Sequence, residues 1–296
     1  RLHDRGVRVT TSTRVGRDSA IEEVEKEYDA ILWALGTKRG RDLPIEGFDS
    51  PNCSSGVDFL GAFNEGRLQL AAGRVVVVGG GDTSIDVASV ARRLGHINSL
   101  HPKDRPEHIV LGYTAHDVAS TMRREGAHVT LTSLFPVEKM TAAEHEVVDA
   151  LSEGVDIRGG VMPVGVEKDD EGRAKAVRFA ECELVDNRPQ PREGTEFVLE
   201  CDLLVAAIGQ YGDLSGLEPL DNGNGFIDAD EHFRVPGKEG HFVAGDIVRP
   251  HLLTTAIGQA SLAVESVDHY LLGKEPGRRP KVDKHHFQLI NKLRET

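Results

Sequence analysis

Four consecutive valines, Val75 to Val78, run directly into three consecutive glycines, Gly79, Gly80 and Gly81. This junction constrains the fold more than any other stretch. An unbroken β-branched run has no polar face, so it fits a strand covered on both sides, as in a parallel sheet. The glycines carry no Cβ, which permits a tight turn and leaves the backbone open to close approach. Beyond them Thr83, Ile85, Val87, Ala88, Val90 and Ala91 recur with helical spacing. Arg92 and Arg93 fall in the last turn, where the helix dipole favours cations, and Gly95 is the expected C-cap. Strand, glycine turn and helix in this order aim the free N–H groups of the helix start at whatever lies over Gly79 and Gly81. That is a natural seat for a diphosphate.

The turn reads Gly79-x-Gly81-x-x-Ser84, with serine where the dinucleotide fingerprint has its third glycine. That position serves helix–strand packing, so a small residue suffices. A glycine turn also occurs in α/β domains that hold no nucleotide, and the alternative stays open at this point. A carboxylate at Asp82 would repel a phosphate, so Asp82 is expected to turn aside and cap backbone N–H groups. Gly79, Gly80, Gly81, Asp82 and Thr83 are the first candidate cofactor-binding residues.

At 296 residues the chain allows two domains, or one with a large insertion. A formal net charge of −13 argues against nucleic acid or an anionic membrane surface as the main partner. The three cysteines, Cys53, Cys182 and Cys201, are far apart and form no C-x-x-C, so no redox dithiol, iron–sulfur site or zinc site is encoded locally. They are expected to be reduced thiols in a reducing, cytoplasmic setting. No apolar run reaches the length of a membrane span, and no signal peptide opens the chain. The opening, Arg1 to Val9, reads as the end of a helix entering a strand, without an initiator Met. A fragment lacking its N-terminal part is expected. No Ser/His/Asp arrangement or H-E-x-x-H motif occurs, and His285-His286 has no further ligands beside it, so neither a catalytic side chain nor a metal site is assigned.

Along the chain, strands are expected at residues 7–13, 28–37, 128–133, 155–157, 203–209 and 240–247. Helices are expected at residues 57–63, 141–153 and 253–272, the second opened by a capping box of Thr141 and Glu144, and residues 21–27 read as an acidic helical turn or a loop. Residues 38–54 read as a loop. Residues 161–166, 174–184 and 196–199 alternate like an antiparallel meander with a turn at residues 169–172. Residues 112–126 echo residues 81–95 in Gly, Thr, Asp-Val-Ala-Ser, Arg-Arg and Gly, which reads as a partial tandem duplication of the helix without its glycine triplet, or else as coincidence between two amphipathic helices. The second copy should therefore bind no diphosphate. Residues 274–280 leave the domain, and an amphipathic tail follows.

Four stretches in order carry a resemblance: residues 28–37, with Tyr28-Asp29-Ala30 and a small-residue turn; residues 75–86, with the glycine triplet; residues 204–209; and residues 242–257, with Ala244-Gly245-Asp246-Ile247-Val248-Arg249. Together they resemble the flavin- and NAD(P)-binding oxidoreductases typified by the small subunit of glutamate synthase. Relatives of that family include flavin subunits of ferredoxin–NADP transhydrogenases and part of dihydropyrimidine dehydrogenase. The resemblance implies an α/β protein with two dinucleotide-binding (Rossmann-like) domains, the NAD(P) domain inserted into an FAD domain that is incomplete here. Residues 1–70 would be an FAD-domain portion. Residues 71–211 would be the NAD(P) domain, with an insert near residues 96–127. Residues 212–296 would be the FAD-domain C-terminal portion and tail.

By the same resemblance, Asp246 after Gly245 would bond the ribityl chain of FAD. The helix start at Thr255 and Ala256 would face the flavin pyrimidine edge, where N–H groups stabilise charge on a reduced flavin. Gly36 and Thr37 would pass close to FAD, and Gly209 close to the nicotinamide. Three departures stand out. The FAD domain's own glycine turn is absent, and the repeated-helix insert is extra. Where the family often has an arginine pair for the 2′-phosphate, this chain reads Ser133-Leu134-Phe135, so NADP versus NAD stays open. Lys103 and Arg105 of the insert are the candidates to replace that pair, although a solvated loop is the favoured reading of that stretch.

The activity implied is hydride transfer from NAD(P)H to FAD. Electrons would then pass to iron–sulfur clusters held by a missing segment or a partner subunit. Two alternatives remain: an NAD(P)-binding module without flavin, and a docking platform formed by the repeated helices and the acidic surface.

Overall fold

The computed structural model describes residues 6–68, 72–94, 127–185 and 188–275. The repeated-helix insert, Gly95, the His285-His286 pair and the amphipathic tail lie outside the described residues. The chain divides into two units, Thr37–Asp213 and a second composed of Arg1–Gly36 with Leu214–Thr296.

The first unit is built on a five-stranded parallel sheet in the order β3-β11-β4-β5-β6. Its strands are β3 (Cys53–Ser55), β4 (Arg74–Val78), β5 (His128–Thr132), β6 (Asp156–Arg158) and β11 (Leu203–Ala206). Helices α2 (Gly56–Asn64), α3 (Asp82–Leu94) and α4 (Glu144–Ser152) accompany it. The four valines explain why β4 is central. Val75 and Val77 join a core with Ile85, Val87, Ala88 and Leu131, whereas Val76 and Val78 join another with Phe48, Val177 and Phe179. Side chains alternate across a strand, so one face meets helix residues and the other meets a second sheet. Each buried valine contributes about 1.5–3 kcal/mol.

That second sheet is antiparallel, with β7 (Val161–Lys168), β8 (Ala174–Val185), β9 (Arg188–Pro191) and β10 (Phe197–Glu200). Its β7–β8 turn is held as expected: Asp169 Oδ1 accepts the N–H groups of Glu171 and Arg173 at 2.9 and 2.8 Å. The sequence reading missed β9, which carries Pro189 and Pro191. Proline is tolerated there because β9 is an exposed strand paired to β8 alone.

Residues 38–54, read as a loop, contain two strands. β2 (Arg39–Gly40) pairs antiparallel with β12 (Gln210–Tyr211), and β3 lies parallel to β11. Residues 37–70, expected with the FAD portion, therefore pack in the same unit as the glycine triplet. The division falls after Gly36.

In the second unit, β1 (Ile31–Trp33) pairs parallel with β13 (His241–Val243). Helix α1 (Ile21–Glu27) precedes β1, and helix α5 (Leu253–Leu271) follows β13. Ile21, Trp33, Leu214, Ile227, Val243 and Ile247 fill the core. The strand expected at residues 7–13 does not form. Val7 and Val9 are exposed, so burial gives that segment no driving force. Among the described residues no helix is long and apolar enough to cross a membrane.

Candidate functional site

The glycine turn leaves β4 at its C-terminal end. A Cβ on Gly79 would lie 2.3 Å from the Ala207 carbonyl oxygen, so neighbouring backbone forbids any side chain there. A Cβ on Gly80 would lie 2.7 Å from Ser133 Oγ. Gly81 differs: its missing Cβ would meet only Thr141 Oγ1, at 3.4 Å. Gly79 is thus required by packing against backbone, a Cβ on Gly80 would displace the Ser133 hydroxyl, and Gly81 is the glycine whose open side faces outward. Ser84, at the third-glycine position, is fully buried and donates its hydroxyl to the Gly81 carbonyl.

The first turn of α3 leaves donors unused. Ser84 and Ile85 N–H both bond to Gly81 O, at 2.9 and 3.4 Å. Among the described residues no acceptor meets the N–H groups of Gly80, Gly81, Asp82 or Thr83. Four adjacent unfilled donors at the positive end of a helix dipole fit a diphosphate.

Asp82 turns away from this seat, as its charge predicts. Its Oδ1 accepts the Ala143 N–H at 3.0 Å, at the start of α4. The capping box expected from Thr141 and Glu144 does not form. Thr141 instead donates its N–H and Oγ1–H to the Gly80 carbonyl at 2.9 and 3.1 Å. Ala142 N–H joins them at 3.0 Å. The segment before α4 is therefore latched to the glycine turn, and Thr141 belongs to the site although sequence reasoning gave it a local role. Two further carboxyls stand near Asp82. Burial, followed by the Asp82 charge, raises the pKa of Asp86. Burial, followed by Asp82 and Asp86, raises that of Glu146, whose Oε2 is enclosed without a hydrogen-bond partner among the described residues.

Ser133 lies at the end of β5 and is buried. Its N–H donates to Arg158 O at 2.9 Å, and its Oγ accepts the Phe135 N–H at 3.2 Å. Its hydroxyl packs over Gly80, so it shapes the turn. Leu134 and Phe135 beside it are exposed. Thr83 and Thr37 are linked by a residue the sequence reading missed. Gln210 donates Nε2–H to Thr83 Oγ1 at 3.4 Å and accepts the Thr37 hydroxyl on Oε1 at 3.1 Å. Its one signal was adjacency to Gly209. Gly209 has φ +116°, open to glycine, and its carbonyl accepts the Arg41 N–H at 3.0 Å.

In the second unit, Gly245 has φ +84° and donates its N–H to Gln259 Oε1 at 2.8 Å. Asp246 is half-buried, and its Oδ1 accepts the His251 N–H at a long 3.4 Å, leaving acceptor capacity for hydroxyl donors. Gly36 has φ +65°, and a Cβ there would meet no heavy atom within 4 Å. The start of α5 corrects an expectation. Thr255 and Ala256 N–H already donate to Leu252 O at 2.9 and 3.2 Å. Among the described residues the unfilled donors at this end are Leu253 and Thr254, so the positive end lies two residues upstream. Open backbone at Gly36, the Asp246 carboxylate and these two amides fit the ribityl and pyrimidine portions of a flavin.

All three cysteines are free thiols. Burial pushes Cys53 up to about 11 and Cys201 up to about 12, and also raises Cys182. None is poised as a thiolate nucleophile. Among the described residues, no three His, Cys, Asp or Glu side chains are grouped to hold a metal ion.

A parallel sheet with a glycine turn at its switch from strand to helix, in a chain whose second unit carries a Gly-Asp turn, defines an α/β dinucleotide-binding protein. The family model described as pyridine nucleotide-disulphide oxidoreductase matches residues 2–260, and the chain belongs to that family.

Among curated proteins, it is 33% identical over 278 residues to the NADP(+)-dependent formate dehydrogenase subunit beta of Moorella thermoacetica, covering 90% of this chain and 35% of that protein. It is 32% identical over 221 residues to the NADPH-Fe(3+) oxidoreductase subunit beta of Geobacter sulfurreducens, covering 71% of this chain and 28% of that protein. It is 27% identical over 304 residues to the glutamate synthase [NADPH] small chain of Azospirillum brasilense, covering 92% of this chain and 55% of that protein. The resemblance to glutamate synthase small subunits is thus borne out. The chain spans about a third of the first two relatives and about half of the third.

Among solved structures, FprA of Mycobacterium tuberculosis in complex with NADPH matches with a TM-score of 0.67 at 19% identity, over 96% of this chain and 73% of that one. The thioredoxin reductase of T. acidophilum matches at 0.55 and 17% identity, over 82% of this chain and 66% of that one. Both likenesses concern the fold, which is the α/β class that the four stretches implied.

Proposed function

We propose that this chain is part of an NAD(P)H-dependent flavin oxidoreductase subunit, residing in the cytoplasm and supplying electrons to an iron–sulfur or catalytic partner subunit. The observation that carries this reading is the row of unfilled N–H groups from Gly80 to Thr83 at the end of β4. Those amides would hold the coenzyme diphosphate, with Gly81 giving close approach and Gly209 lying toward the nicotinamide. Thr141, Ser133 and Gln210 would keep the turn and its flanks in shape. Asp246 would accept ribityl hydroxyls, and Leu253 and Thr254 would direct N–H groups at the flavin pyrimidine edge. Bound FAD accepts hydride from the nicotinamide at N5 and can release electrons singly. The domain assignment is an NAD(P) domain within residues 37–213 and FAD-domain portions on either side of it.

NADPH is favoured over NADH because the relatives above are named for NADP(+) or NADPH. A partner is favoured because they are named as subunits or small chains. The raised cysteine pKa values and the lack of C-x-x-C favour flavin chemistry without a dithiol on this chain. The test is a visible spectrum of the chain supplemented with FAD, followed by anaerobic addition of NADPH or NADH. Bleaching of a protein-bound flavin band, faster with NADPH, is the expected result. The second reading is a nucleotide-binding module without flavin, which rests on the glycine turn at Gly79 to Gly81 alone. It predicts no flavin retained on the chain but intact NADPH binding.

A further inference from the structure

The second unit contains a buried polar contact that the function above does not use. Trp33 on β1 donates its Nε1–H to Nδ1 of His241 on β13 at 3.1 Å, with both residues 4% exposed. On the other side of the ring, His241 Nε2 lies 3.3 Å from Glu25 Oε1 of α1, and Lys238 Nζ lies 3.5 Å from the same oxygen. An indole nitrogen can only donate. Nδ1 must therefore carry a lone pair, and the imidazole is neutral with its proton on Nε2, directed at Glu25. A second proton on Nδ1 would set two N–H groups against each other in a dry site. The Trp33 bond therefore requires a neutral His241.

The position of this contact gives it a consequence. β1 and β13 lie side by side with Ile31 opposite His241 and Trp33 opposite Val243. Gly36 follows the end of β1, and Gly245 with Asp246 follows the end of β13. Trp33 also accepts the Ala244 N–H on its carbonyl at 3.0 Å. The spacing of the two turns is thus set by a strand pair only three residues long, and the Trp33–His241 bond is a buried side-chain tie across it. Burial lowers the His241 pKa, Glu25 opposes this, and Lys238 adds to it. The other ionisable groups facing the same cavity of about 520 Å³ are Tyr28, Asp29, Glu239 and Tyr270.

We propose that Trp33 and His241 form a proton-operated latch that positions the Gly36 and Gly245–Asp246 turns. While His241 is neutral the strands are tied; proton uptake breaks the Trp33 bond and loosens both turns. The latch itself stands on the contacts above, whereas its effect on flavin rests on the function proposed in the preceding section.

The chain has one tryptophan, so Trp33 fluorescence reports the bond directly. In the flavin-free chain, fluorescence titrated from pH 8 to pH 5 should show a one-proton quenching transition below about pH 6.5, because an imidazolium in contact quenches indole. His241→Asn keeps an acceptor oxygen for Trp33 but does not titrate, and should abolish the transition. The wild-type affinity for FAD should fall at least threefold from pH 7.5 to pH 5.5 and stay constant in the variant. A flat wild-type titration, or the same transition in His241→Asn, overturns the latch. If that variant does not fold, ¹⁵N shifts of the His241 ring in the wild-type chain decide: a protonated Nδ1 at pH 8 overturns the latch, and a bare one supports it. Failure to bind FAD at any pH overturns the flavin reading and leaves the fluorescence result to judge the latch. A fluorescence transition with FAD affinity independent of pH removes the link to flavin.

Discussion

Asp82 Oδ1 accepts the Ala143 N–H at 3.0 Å, so the first residue of α3 holds the start of α4. The same residue contributes one of the amides proposed to hold a diphosphate. Its two effects oppose each other. Asp82→Ala should destabilise the fold by about 1 kcal/mol, the worth of one hydrogen bond to a charged group at an exposed position. The same change should tighten NADPH binding by removing a repelling charge. Thermal unfolding and titration calorimetry on one variant measure both signs.

The glycines of the turn should separate by role. Gly79→Ala forces a Cβ to within 2.3 Å of the Ala207 carbonyl and should lower stability by several kcal/mol or prevent folding. Gly81→Ala meets only Thr141 Oγ1 at 3.4 Å. Its melting temperature should stay near wild type while NADPH affinity falls about tenfold, because the methyl stands where the ligand must approach. Parallel melting and binding curves of the two variants test this.

Glu146 predicts a pH dependence of stability. Enclosure of Oε2, with Asp82 and Asp86 nearby, raises its folded-state pKa above its unfolded value. Between those two values the folded chain holds a proton that the unfolded chain has released. Stability from this group is therefore present below the unfolded pKa and is lost as pH rises through the folded one. Glu146→Gln should melt higher than wild type at pH 7.5, and the difference should vanish near pH 4. Melting curves at the two pH values check the sign.

Under the proposed function, the coenzyme preference is expected to turn on the end of β5. Leu134 and Phe135 are exposed there, where an arginine would meet a 2′-phosphate. Phe135→Arg should raise the preference for NADPH over NADH about tenfold, the effect of roughly 1.4 kcal/mol from one charged contact. Dissociation constants for both coenzymes, measured in wild type and variant, give the ratio.

What the sequence disclosed and what it hid follow from the range of the forces involved. β4, its glycine turn and α3 were legible because valine burial, glycine conformation and helical spacing act within a few residues. β2 and β3 were not: each is two or three residues long, and each exists because of a strand more than 140 positions away, at Gln210–Tyr211 and Leu203–Ala206. Thr141 shows competition. Its spacing to Glu144 satisfies a local capping rule, but the Gly80 carbonyl offers a better partner in the folded chain. The start of α5 at Leu253 was legible, but which of its N–H groups stay unfilled follows from the bonds of Thr255 and Ala256 to Leu252 O, which only the folded chain shows. Gln210 was hidden because bridging Thr37 to Thr83 is visible only once β12 is paired. Residues 7–13 alternate enough to suggest a strand, yet form no ladder.

The central claim is that the unfilled amides at the start of α3 hold a dinucleotide diphosphate. Backbone amide NMR of the ¹⁵N-labelled chain titrated with ADP-ribose, which carries the diphosphate but no nicotinamide, tests it most directly. The largest shifts should fall on Gly80, Gly81, Asp82 and Thr83, while Leu253 and Thr254 stay in place. Unmoved resonances at Gly80 to Thr83 under saturating ligand would contradict it.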